Sequence, residues 1–102
     1  MYHIKRDKRA LASVELICAG LLRLMARKPF EKITITDLQK ESTVSRSTFY
    51  RNFDCLEDVL ELLTGQVDNE AMVALTYAVD VEGQTVEQTA HDFLVKRGLL
   101  DN

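Results

Sequence analysis

Between residues 8 and 27, apolar side chains recur every three or four positions. Leu11, Val14, Ile17, Cys18, Leu21, Leu22 and Met25 fall on one stripe of a helix. Arg27 and Lys28 suit the negative end of that helix's dipole, and Pro29 stops further winding. Phe30, Ile33 and Ile35 form a short apolar connector. Thr36, with Gln39 three residues on, predicts a capping box at the start of a second, short helix. That helix turns Leu38 inward and ends near Glu41 or Ser42. Ser42-Thr43-Val44 reads as a turn, with Val44 plugging the gap between helices. Ser45 is the N-cap candidate for a third helix, Arg46 to Phe53. Asp54 with Glu57 predicts another capping box and a fourth helix, with Leu56, Val59, Leu60 and Leu63 inward.

The helical period continues beyond Gly65. Residues 69 to 77 read as a helix capped by Asp68, with Met72 and Leu75 inward. DVEGQ at 80 to 84 reads as a loop. Thr85 with Gln88 caps a last helix on which Val86, Ala90, Phe93 and Leu94 share a face, and Gly98 supplies its stop. The expectation is an all-α fold.

Charge divides this helical chain. Residues 1 to 55 hold 11 Lys and Arg against 6 Asp and Glu, a net +5. Residues 56 to 102 hold 2 against 10, a net −8, which gives the overall −3. A polyanionic partner would therefore meet the first half. The start, MYHIKRDKRA, lacks an apolar signal core, and no apolar run reaches the roughly 18 residues of a membrane helix. A cytoplasmic chain with no membrane contact is expected. Cys18 and Cys55, without metal-ligand spacing, are expected to be free thiols.

The stretch STVSRSTFYRNF, residues 42 to 53, interleaves rings, hydroxyls and positive charge and holds no acid. On a wheel Phe49 and Phe53 lie together and face the core. Arg46 and Tyr50 make a second row, Ser47 and Arg51 a third. Arginine forks onto guanine, hydroxyls bond bases or phosphates, and a tyrosine bonds phosphate while its ring packs. A charged helix face is usually only solvated, so one such helix is weak ground. A short capped helix and a three-residue turn before it add helix-turn-helix spacing.

Residues 33 to 60, ITITDLQKESTVSRSTFYRNFDCLEDVL, resemble the helix-turn-helix of TetR-family transcriptional regulators. Ile35, Thr36 and Leu38 match the start of its second helix. Val44, Ser45, Thr48, Phe49, Tyr50 and Phe53 match its recognition helix. With residues 8 to 27 as the first helix, the resemblance spans about 55 residues. It implies a three-helix, homeodomain-like DNA-binding domain over residues 1–60, followed by a helical tail over 61–102. It implies contacts to double-stranded DNA from Thr36, Ser45, Arg46, Ser47, Thr48, Tyr50, Arg51 and Asn52. Lys5, Arg6, Lys8 and Arg9 would add non-specific attraction. It implies a homodimer acting as a repressor, with no enzymatic activity. Two positions depart from the family pattern. Thr43 stands where glycine is usual, and Leu56 where a phosphate-clamping lysine is usual.

The tail, residues 63 to 100, resembles instead the C-terminal end of osmoprotectant-type substrate-binding proteins of ABC transporters. The cues are its GxVxxExM start, its LxYxVDxEG loop and its AxxFLxxGLL finish. Neither lobe of such a protein is present, so no transport activity is expected, and the tail is too short for the effector-binding domain usual in the TetR family, so no effector ligand is expected. A fused or truncated chain that works as a protein-interaction module, or is a remnant without specific DNA binding, is the alternative. His3 and His91 are isolated and read as surface residues. No cofactor or metal is expected. Cys18 belongs to the apolar stripe, and Cys55 stands near a helix N-terminus, where the dipole lowers a thiol pKa.

Overall fold

The computed structural model of the chain describes residues 8–64, 86–96 and 98–99. These residues form an all-α protein. Helices α1 (Lys8–Met25), α2 (Ile35–Ser42), α3 (Arg46–Asn52), α4 (Leu56–Thr64) and α5 (Val86–Lys96) follow one another, with a 3-10 turn at Phe30–Lys32. The expected helix at 69 to 77, the loop at 80 to 84 and the Thr85 cap lie outside the described residues, as do Lys5 and Arg6.

α1 is the central strut. It packs against α2 and α5 most extensively, and against α3 and α4 as well. This explains why its buried face is wider than one stripe. Ala19, Gly20 and Leu24 are buried along with Val14, Ile17, Cys18, Leu21, Leu22 and Met25, while Leu11 stays half-exposed. Gly20 lies where α2 crosses. A Cβ there would stand 3.0 Å from the Ser42 Cβ and 3.3 Å from the Leu38 Cδ1, so glycine permits the close approach.

The start of α2 differs from the expected Thr36–Gln39 box. The N-cap is Thr34: its hydroxyl accepts from the Asp37 amide, and the Asp37 carboxylate accepts from the Thr34 amide. Both Thr34 and Thr36 have a side chain of the right type three residues on. Asp37 also accepts from Lys28 Nζ at 2.7 Å, which ties the chosen box to the end of the α1 segment. Thr36 thus sits within the first turn of α2, exposed.

α4 begins differently as well. The Asp58 carboxylate, not that of Glu57, accepts from the Asp54 and Cys55 amides, at 2.9 and 3.3 Å. Val59, Leu60, Leu62 and Leu63 are buried, and Leu56 packs half-buried on the core. α5 closes with the reciprocal bonds of a Schellman turn. The Leu99 amide donates to the Leu94 carbonyl, the Gly98 amide donates to the Val95 carbonyl, and Gly98 takes a positive φ of 77°. Ala90 and Leu94 are fully buried in the same core as α1, and Phe93 packs against it.

Candidate nucleic-acid interface

Three residues, Thr43 to Ser45, separate α2 from α3 and set how α3 is presented. Thr43 is the C-cap of α2 and adopts the left-handed region, φ 63° and ψ 9°, with its amide donating to the Gln39 carbonyl. This is the position where the sequence carries threonine in place of glycine. Buried Ser42 secures the turn: its hydroxyl donates to the Leu38 carbonyl at 2.7 Å and accepts from the Val44 amide at 3.2 Å. Val44 is buried, as its plug position requires. Nothing in the residue pattern marked Ser42 as more than a turn residue. Its hydroxyl works only because α2 ends where it does.

α3 then starts on Ser45, whose hydroxyl accepts from the Thr48 amide at 3.2 Å. The same hydroxyl donates to Thr48 Oγ1 at 2.9 Å and lies 3.2 Å from Ser47 Oγ. Phe49 and Phe53 are buried with ring centroids 5.6 Å apart. Tyr50 stands against the edge of Phe49, centroids 5.2 Å apart, and is 44% exposed. Arg46, Ser47 and Arg51 are exposed, and Thr48 is half-exposed. Arg46 Nη2 donates to Thr36 Oγ1 at 3.0 Å, so the two expected contact residues of α2 and α3 meet on one surface.

Asn52 does not belong to this surface. It is 3% exposed, and its Nδ2 donates to the Thr48 carbonyl at 3.1 Å. Three steps of ~100° bring it round to within about 60° of Phe49, on the inward face. Leu56, half-buried on the core, gives no phosphate clamp.

A second basic feature adjoins α3. An open cleft of about 930 Å³ runs between the first turns of α1 and the end of α3. Lys8, Arg9, Ser13, Thr48, Arg51 and Asn52 line it, with no carboxylate among the described lining residues. Lys8 and Arg9 are exposed, and the first turn of α1 contains no acid. The dipole of an 18-residue helix would favour a carboxylate there.

Two thiols and a histidine are placed elsewhere in the fold. Burial pushes the Cys18 thiol well up, reinforced by Glu15. The Cys55 thiol is raised, not lowered as its place near a helix start suggested. Loss of solvent is the main cause, and neighbouring Glu57 and Asp58 add to it. His91 Nδ1 lies 3.4 Å from Glu15 Oε2, pairing α5 with α1. Among the described residues no group of three or more His, Cys, Asp and Glu side chains could hold a metal ion. No helix among them is long and apolar enough to cross a membrane.

Fold and surface together define an all-α body in which a three-residue turn joins α2 to α3, and α3 carries no acidic residue. Comparison with protein-family models, with curated proteins and with solved structures finds no match for the chain.

Proposed function

We propose that this chain is a DNA-binding regulator of transcription, of the type its helix-turn-helix resembles, with α3 inserted in the major groove. The observation that carries the reading is the division of α3. Phe49 and Phe53 anchor it in the core, while Ser47, Tyr50, Arg46 and Arg51 stay exposed with no acid between them. In the complex Arg46 reads a base edge, Tyr50 and Thr36 hold phosphates, and the hydroxyls of Ser45, Ser47 and Thr48 bond bases or phosphates. The protein acts as a cytoplasmic repressor. Two copies sit on half-sites about 34 to 36 Å apart, so that one helical turn of DNA sets their spacing.

Fluorescence anisotropy with labelled duplex tests the reading. Arg46→Ala and Tyr50→Ala each weaken binding, Arg46→Ala by about 1–3 kcal/mol at a preferred site. Failure of the unaltered protein to bind any duplex at low salt would end it. Leu56 favours one other reading. With a half-buried leucine in place of a phosphate-clamping cation, the same body serves as a protein-interaction module. A chain that stays monomeric and shows no salt-dependent DNA affinity would select that reading.

A further inference from the structure

The cleft between α1 and α3 has a composition that packing does not require. Two cationic side chains come from the start of α1, Lys8 and Arg9, and a third, Arg51, comes from α3. Two hydroxyls, Ser13 and Thr48, and the buried Asn52 share the lining with them. Lys8, Arg9 and Arg51 are all exposed. Three like charges around one concavity repel one another unless an anion sits among them. Phosphate suits that arrangement. It carries negative charge and several acceptor oxygens, which guanidinium, ammonium and hydroxyl groups can bond together.

We propose that this cleft is a seat for a phosphate group. Its identification as a seat for the DNA backbone rests on the DNA-binding reading above. The cleft shares Thr48 and Arg51 with α3, so a phosphodiester held there fixes how deeply α3 enters the groove. The seat brings in Ser13, which the helix-turn-helix pattern does not mark, as a positioning residue. It also leaves the free protein able to take a small phosphorylated anion, and such an anion would compete with DNA.

Ser13 supplies a test that a merely structural role would not pass. It is a half-exposed position on α1, and both Glu and Lys are good helix formers there. Ser13→Glu is expected to weaken duplex binding by about tenfold. Ser13→Lys is expected to strengthen it several-fold and steepen the salt dependence by about one unit of log–log slope. Two variants that bind like the unaltered protein, while Arg46→Ala weakens binding, would overturn the seat and leave the DNA reading intact. A second arm uses inorganic pyrophosphate and thermal unfolding. A rise in Tm that Ser13→Glu abolishes supports the seat, even if no duplex binds, and assigns it to a free anion. No effect of pyrophosphate, together with no duplex binding, overturns both readings.

Discussion

Thr43 holds its backbone at φ 63°, a region where a β-branched side chain crowds its own carbonyl at about 1–2 kcal/mol. Glycine at this position removes that strain but adds entropy to the unfolded chain, which recovers part of the gain. Thr43→Gly is therefore expected to stabilise the protein by about 1 kcal/mol. The urea midpoint should rise with an unchanged slope. An unchanged or lower midpoint would mean that the Thr43 hydroxyl, which donates to the Ser42 carbonyl at 2.5 Å, fully offsets the strain. The turn position was legible in the sequence because a C-cap residue before Val44 and Ser45 had to close α2. The cap of α2 was less legible. Thr34 and Thr36 stand two residues apart with Asp37 and Gln39 at matching distances, so local spacing fits both. The contact that distinguishes them is Lys28 on Asp37, which requires knowledge of where α1 ends in space. Asn52 shows the same limit. A polar residue in an acid-free stretch reads as outward, yet its angle to Phe49 places it inward.

At the scale of elements, the α1–α2 crossing decides how the turn and α3 are presented. Gly20 allows it by close approach, and two sets of ion pairs bracket it. Glu41 accepts from Arg23 Nε at 3.0 Å and from Arg27 Nη2, while Asp37 pairs with Lys28. Gly20→Val is expected to destabilise by about 2 kcal/mol, because a branched side chain would push into Ser42 and Leu38. The ion pairs predict a pH dependence. The Arg27 and Arg23 guanidinium groups hold the Glu41 carboxyl below its ordinary range. Lys28, followed by the Thr34 amide, does so for Asp37. A carboxyl whose pKa is depressed by folding contributes stability at pH values above the unfolded value, about 4. That contribution disappears as pH falls through the lower folded value. Stability should therefore decline below about pH 4 through these groups, and Glu41→Gln should flatten that acid limb in thermal melts. If the limb keeps its slope in Glu41→Gln, the Glu41 pairs contribute nothing to it. The stripe on α1 was legible from its period, but its extra buried face was not. Ala19, Gly20 and Leu24 are buried on a helix that packs against all four other described helices, and no local period reports neighbours so distant in sequence.

At the scale of the whole molecule, the charge division and the packing do not follow the same boundary. The first 55 residues are basic and the remainder acidic, yet α5, from the acidic part, buries Ala90 and Leu94 in the core that α1 and α4 share. Charge thus changes along the sequence, while burial joins described residues of both segments in one core. α3 packs on α1, and α1 packs on α5. Leu94→Ala should therefore cost about 2–4 kcal/mol, as for a fully buried leucine. For a chain of this length that is a large share of total stability. The loss should reach the far side of the molecule. Amide hydrogen exchange in α1 and α3 should accelerate together in Leu94→Ala, because opening the α1–α5 contact removes support from both. Faster exchange confined to α5, with α1 and α3 protected as before, would show that the helix-turn-helix folds without its acidic partner segment.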